Sequence, residues 1–367
     1  MNKFISFIKK ESVLVVAFVL AIASVFLVAP DKEYLSYIDF RTLSLLFCLM
    51  AVMAGFSKAG FFTFCADRLL SKAKTTKSVV LILVLLCFFF SAVITNDVAL
   101  ITFVPFAITV LSLAEKKELI PLTVILQTVA ANMGSCLTPI GNPQNIYIYS
   151  VSGLTFLDFL RLLLPYSLVS LLALLLLILP IKKEIIDRKT EDISSTDIKS
   201  TVFYLILFIV SVLAVAGVLN YIICLILVIV ALLIFDRKII PRVDYSLLLT
   251  FVGFFIFVGN MGRVPFVNGM IESLIGGKEI VFSALISQVI SNVPAALLLT
   301  GFTDNMSALL VGVNIGGLGT LIASMASLIS YKYVASALPN KKGKYLIMFS
   351  LLNFALLAIM ILLSFIL

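Results

Sequence analysis

Long apolar runs separated by short polar or basic segments fill the chain from residue 13 onward. The runs long enough to cross a hydrocarbon layer as helices lie at 13–30, 43–56, 121–149, 156–181, 202–219, 221–235, 245–259, 309–333 and 345–367. They predict about nine full spans in an all-α polytopic membrane protein. Two of them, 121–149 and 309–333, are interrupted by Gly, Asn or Pro. Two further runs, 78–113 and 279–301, break near their middle at a Thr/Ser-Asn pair and read as re-entrant hairpins that enter and leave on one side. A hairpin and a pair of crossings have the same parity, and the first arm of 78–113 is long enough to cross.

Composition supports a bilayer as the main solvent. Of 367 residues 62% are hydrophobic and 13% charged, too few charges to cover a soluble surface. The net charge of +8 needs no nucleic acid, because the basic residues sort by loop. Segments 1–10, 57–77, 114–118, 182–200, 236–242 and 332–344 fall on one side and carry 22 of the 27 Lys and Arg. The positive-inside rule makes that side cytoplasmic, which places the chain in the cytoplasmic (inner) membrane with the N-terminus inside and the C-terminus outside. Lys3, Lys9 and Lys10 ahead of an apolar run resemble a signal peptide, but the run is long and lacks a small-x-small exit, so a retained first span is expected. Residues 60–74 read as an amphipathic helix along the cytoplasmic interface, and 182–200 as a solvated linker.

Several chemistries are excluded. With no His there is no His-ligated metal or Ser-His-Asp hydrolysis, and no phosphate-binding Gly loop supports ATP-driven transport. No enzyme and no cofactor is expected. The five Cys lack paired spacing and suggest reduced, inert thiols.

An internal repeat organises the rest. SAVITNDVALITFVPF, from Ser91, aligns with SQVISNVPAALLLTGF, from Ser287; ANMGSCLTPIGN, from Ala131, aligns with VNIGGLGTLIAS, from Val313. Asn132, Gly134, Thr138 and Ile140 recur as Asn314, Gly316, Thr320 and Ile322. An apolar span beginning at Asp39 or Asp244 precedes each hairpin. By charge the first hairpin opens from the cytoplasm and the second from outside. Residues 1–181 thus form a first inverted repeat, 182–200 a cytoplasmic linker, and 201–367 a second repeat with one extra span. This is the layout of a secondary transporter. Unwound chain inside hydrocarbon survives only where it is buried or lines a cavity. Gly134, Pro139, Gly141 and Pro143 prevent a continuous helix, and Asn142 is expected to cap the half-helix restarting at Pro143. Asn96 and Asn292 are likewise expected as N-caps of the returning hairpin arms. Freed carbonyls and Asn or Thr side chains suit a cation; half-helix N-termini suit an anion.

Through TNDVALITFVP and GSCLTPIGNPQN the chain resembles the ion transporter superfamily, nearest to its citrate-transporter-like bacterial permeases, over about residues 39–333. The resemblance implies that substrate and coupling ions sit between the hairpin turns and the interrupted spans, and that the hairpin-bearing part moves. Symporters of this group carry Ser-Asn-Thr turns. Here the turns read Thr95-Asn96-Asp97 and Ser291-Asn292-Val293, and the missing third hydroxyl counts against a dicarboxylate and two matched sodium sites.

The expected activity is secondary transport of a small anion or oxyanion coupled to Na+ or H+. The alternatives are efflux of arsenite or antimonite, with Cys136 as a thiophilic contact, and Na+/H+ exchange. Expected binding residues are Thr95, Asn96, Asp97, Asn132, Gly134, Thr138, Asn142, Ser291, Asn292, Asn314, Gly316, Thr320 and Ser324. Na+ is expected at Asn96, Asp97 and Asn132 and at Ser291, Asn292 and Asn314. Membrane lipid is the surrounding partner, and a homodimer stays open.

Overall fold

The computed structural model describes residues 11–71, 73–185 and 196–367. The basic residues at 3, 9 and 10 and the middle of the linker lie outside them. In chain order the helices are α1 (Ser12–Val25), α2 (Phe40–Lys58), α3 (Phe61–Leu70), α4 (Thr76–Ile94), α5 (Asn96–Leu113), α6 (Ile120–Ser135), α7 (Pro143–Ser152), α8 (Phe156–Ile178) and α9 (Ile198–Val215). There follow α10 (Tyr221–Phe235), α11 (Tyr245–Gly262), α12 (Pro265–Ile275), α13 (Glu279–Ile290), α14 (Asn292–Leu299), α15 (Met306–Ile315), α16 (Met325–Ala337) and α17 (Lys342–Ser364). The chain is an all-α polytopic membrane protein.

Among the described residues seven segments are long and apolar enough to cross a membrane: Lys32–Lys58, Thr76–Ile94, Asn96–Leu113, Phe156–Ile178, Ile198–Val215, Tyr245–Gly262 and Pro339–Ser364. Val13–Val25, Tyr221–Phe235, Glu279–Ile290 and Met306–Ile315 are shorter apolar helices. The first helix ends at Val25 rather than at the expected Pro30, where the chain turns and Tyr34 donates to the Val28 carbonyl at 2.5 Å. Within segment 60–74, Phe61–Leu70 forms α3, whose Phe62, Ala66 and Leu70 share one buried face at helical spacing. Helix α12 is not announced by any apolar run; a Pro starts it and Gly276–Gly277 follow its end.

The two hairpins differ in size. The arms of the first, α4 and α5, have 19 and 18 residues, a length of about 27 Å each, so both are long enough to span. The arms of the second, α13 and α14, have 12 and 8 residues, about 18 and 12 Å, and are not.

Contacts at the ends of the bundle fix how the units lie. Glu184 touches both ends of the first hairpin: its carbonyl accepts from Thr76 N at 3.0 Å, and its carboxylate pairs with Lys116. Both arms therefore meet at one end. From there α6 and α7 carry the chain to Ser150, whose hydroxyl donates to Asp39 at 3.0 Å at the start of α2. Near it Asp31 pairs with Arg263 at 2.7 Å, just after α11, and the guanidinium holds the Asp31 carboxyl below the usual carboxylate range. The second hairpin begins beyond Arg263, and Glu279 and Thr303 close its mouth at 3.4 Å. The two hairpins enter from opposite ends. The helices preceding them also start alike: Asp39 accepts from Thr42 N and Asp244 from Leu247 N, both at 3.0 Å, with ψ of 88° and 84°.

Side chains sort as lipid demands. Leu168, Leu172, Ile226 and Ile234 are exposed, whereas Asn96, Gln127, Asn132, Asn145 and Asn314 are buried. Each hairpin's first arm packs on the half-helix before the break of its own unit, α4 on α6 and α13 on α15.

Candidate functional site

Each hairpin turns on a single residue. Thr95 has φ 77° and ψ 147°, and Ser291 has φ 77° and ψ 155°. This region is almost reserved for glycine, so each tip stores on the order of 1–3 kcal/mol of strain. These residues occupy the N-cap positions and neither makes a side-chain cap bond. Asn96 and Asn292 are therefore not the caps expected of them: they are the first helical residues. The Asn96 Oδ1 accepts from Asp97 N at 2.8 Å, which leaves its amide to reach another helix.

Several contacts at the two breaks repeat each other. Helix α6 stops at Ser135 and α7 restarts at Pro143; α15 stops at Ile315 and α16 restarts at Met325. A methyl on Gly134 would lie 2.7 Å from Ser91 Oγ and 2.0 Å from the Phe88 carbonyl; on Gly316 it would lie 2.8 Å from Ser287 Oγ and 2.9 Å from Ala284 Cα. Only glycine lets the hairpin arm approach so closely, and the four partners are themselves repeat-related. Thr138 donates to the Ala92 carbonyl, and Thr320 donates to the Gln288 carbonyl at 2.9 Å. These hydroxyls tie break to hairpin. Asn142 and Ser324 precede the restarted half-helices in extended conformation, with φ of −146° and −143°.

Asn142 makes no side-chain cap bond, contrary to expectation. Its Nδ2 instead donates to Ser135 Oγ at 2.6 Å. Ser135 sits at the end of the half-helix before the break, so the side chain spans the gap.

Tips and breaks then meet. Asn96 Nδ2 donates to Asn132 Oδ1 at 3.1 Å, Ser324 Oγ donates to the same oxygen at 2.9 Å, and Asn132 Nδ2 donates to the Gly317 carbonyl at 3.2 Å. A methyl on Gly317 would lie 3.1 Å from Asn292 Nδ2, 3.3 Å from the Asn314 carbonyl and 3.8 Å from Asn132 Cγ. Asn292 N and Ser291 Oγ donate to the Ala323 carbonyl at 2.9 and 3.5 Å. Asn314 Nδ2 donates to Asn145 Oδ1 at 2.7 Å, and Asn145 Nδ2 reaches the Ser135 and Thr138 carbonyls at 3.3 and 3.2 Å. One hydrogen-bonded cluster thus joins the tips and breaks of both units.

Within it, several buried polar atoms have no partner: Asp97 Oδ1, Asn142 Oδ1, Asn314 Oδ1 and both amide atoms of Gln144. A buried polar group left unmet costs about 1–3 kcal/mol, so a partner supplied to these atoms would be stabilising. The oxygens suit a cation. Gln144 lies in the first turn of α7, where N–H groups and the helix dipole favour negative charge. Gln144, Asn145, Ser135, Gly317 and Gln288 were not singled out from the sequence. Gln144 and Asn145 stand inside the GNPQN stretch, and Gln288 is a polar residue in an apolar arm, which is the signal that marks them. Cys136 is fully buried, with its Sγ 3.1 Å from the Asn132 carbonyl in a packing position.

Comparison with known proteins matches residues 4–310 to the citrate transporter family. The chain is 34% identical over 82% of its length to an uncharacterized transporter, MJ0456, of Methanocaldococcus jannaschii, covering 82% of that protein. It is 32% identical over 84% of its length to the inner membrane protein YbiR of Escherichia coli, covering 84% of that protein. A putative transporter, arsB, of Dictyostelium discoideum is 29% identical over 43% of this chain and 28% of its own length.

Proposed function

The chain belongs to the citrate transporter family of membrane transporters, within the ion transporter superfamily, and on that premise we propose that it moves a small anion or oxyanion across the cytoplasmic membrane by alternating access, driven by Na+ or H+. The observation that carries this reading is the meeting of two strained tips and two broken helices around Asn132 and Gly317, the first tip through Asn96 to Asn132 and the second through Asn292 beside Gly317. Irregular backbone at that depth is tolerated where it lines a binding cavity, and half-helix ends supply both signs of partial charge. In this reading the hairpins are re-entrant, the end carrying Lys58, Lys116 and Lys182 faces the cytoplasm, and the C-terminus faces outside.

Anion binding rests on the N-terminus of α7 with Gln144 and on the restart at Ser324, since neither motif contains Lys or Arg. The cation binds at Asp97, Asn142 and neighbouring carbonyls. Efflux of arsenite or antimonite stays the alternative reading, with Cys136 buried beside the Asn132 carbonyl. Purified protein in liposomes, screened with small organic anions and inorganic oxyanions under imposed Na+ and pH gradients, tests the reading. Saturable uptake that follows one gradient and stops when it is dissipated is the expected result. Flux that neither saturates nor needs a gradient would replace it with a channel.

A further inference from the structure

The break in the second unit is already occupied. Gln288, on the first arm of the second hairpin, points its Nε2 at three backbone carbonyls, those of Ala284, Gly316 and Leu318, each at 2.9 Å. An amide nitrogen has two protons, so it faces more acceptors than it can serve singly. Three carbonyl oxygens converging on one electropositive atom is the arrangement a bound cation would receive. Its Oε1 accepts from Thr320 N at 2.8 Å, which fixes the amide in place. Gly319 admits it: this residue has φ 106°, and a methyl there would lie 2.2 Å from the Gln288 oxygen.

The first unit has neither part. The repeat places Ala92 opposite Gln288 and Leu137 opposite Gly319. The paired change, long amide with glycine against methyl with leucine, is what filling or not filling that space requires. Asn145 bridges the Ser135 and Thr138 carbonyls from beyond the first break, but Asp97 Oδ1 and Asn142 Oδ1 stay without partners. Their counterparts offer nothing comparable. Val293 has no side-chain oxygen, and the Ser324 hydroxyl is bonded to Asn132. Two unpartnered buried oxygens remain there: Asn314 Oδ1 lies before the break on a side chain whose amide is turned to Asn145, and Ser327 Oγ lies in the first turn of the restarted half-helix.

We propose that the Gln288 amide stands in for a coupling cation in the second unit, so that the protein has a single cation site, in the first. The inference rests on the transporter reading for the word coupling; the occupied break does not depend on it. The test uses purified full-length protein, with 22Na+ equilibrium dialysis and melting curves in NaCl against choline chloride at matched ionic strength. Wild type is expected to bind no more than one Na+ per chain. Gln288→Glu sets a carboxylate among the three carbonyls, which repel it unless a cation enters; this variant should bind one Na+ more than wild type and melt several degrees higher in NaCl than in choline. Gln288→Met removes the amide at similar length, and Gly319→Ala displaces it. Either should melt below wild type and regain stability with Na+, which keeps the question answerable if Gln288→Glu does not fold. Two Na+ bound to wild type, or a Na+ response in none of the folded variants, overturns the proposal. Wild type binding no Na+ while a variant gains a site would uphold the plug and refute sodium coupling, so the two readings fail separately.

Discussion

Thr95 and Ser291 adopt one backbone conformation at the tips of two helical hairpins of unequal length, with φ 77° in each. A side chain normally avoids this region, and two residues in the same rare state at repeat-related positions imply that the surroundings enforce it. Thr95→Gly and Ser291→Gly should each release about 1–3 kcal/mol of strain against about 0.5–1 kcal/mol of added chain entropy. Melting temperature should hold or rise, while substrate affinity falls because the tip is no longer fixed. Paired melting curves and binding titrations of the same preparations check it; a clear loss of stability in both variants would show that the tips are unstrained.

Asn132 is the meeting point of the units, accepting from Asn96 and Ser324 and donating to Gly317. Asn132→Ala leaves buried groups unmet at about 1–3 kcal/mol each, more than either Asn96→Ala or Ser324→Ala alone. A double-mutant cycle between Asn96 and Asn132 should return a coupling of about 0.5–3 kcal/mol. Additive effects in unfolding measurements would mean that tip and break do not hold each other.

The apolar helices were legible because lipid imposes a strict rule on the chain. Polar or helix-breaking residues at depth need a reason, and Asn132, Gly134 and Thr138 recur at identical spacing as Asn314, Gly316 and Thr320. The site's asymmetry was harder to read. Gln288, Gly319 and Asn145 act where the repeat is broken, opposite Ala92, Leu137 and Ser327, so aligning the halves hides them. The capping rule placed Asn142 at the N-cap position but not its side chain. A cap is a local preference worth about 1 kcal/mol, and a hydrogen bond across the break to Ser135 overrode it. The unequal hairpin lengths were legible, since the apolar runs 78–113 and 279–301 already differ, and the first arms continue to a mouth at Glu184 while the second are cut short by Lys278 and Thr300.

The hairpin mouths lie at opposite ends of the bundle, and alternating access requires each tip to be reached from its own side in turn. Single Cys probes at Val98 and Val293, after replacement of Cys48, Cys65, Cys87, Cys136 and Cys224, should react with membrane-impermeant reagent from opposite compartments. Substrate should change the two rates in opposite directions. Labelling of both from one compartment in every condition would contradict the inverted arrangement.

Asp97 is the acidic residue of the first tip, its Oδ1 is buried without a partner, and its repeat counterpart is Val293. A carboxylate held near the middle of a membrane is costly unless it meets a cation or a proton. A role as helix N-terminal charge is worth about 0.3–1 kcal/mol at exposed sites, and the Asn96 side chain already serves the Asp97 N–H. The acid is therefore expected to carry the coupling ion. Asp97→Asn keeps the shape and removes the charge. It should insert, fold and bind substrate at close to wild-type affinity, yet equilibrate substrate without concentrating it. Counterflow in liposomes, which needs no driving ion, should persist, while uptake against a gradient should vanish. If Na+ is the ion, its binding is lost in this variant; if H+ is, the pH dependence of uptake flattens. Full accumulation with unchanged ion and pH dependence would reduce Asp97 to a helix-end charge and move the coupling site elsewhere in the cluster.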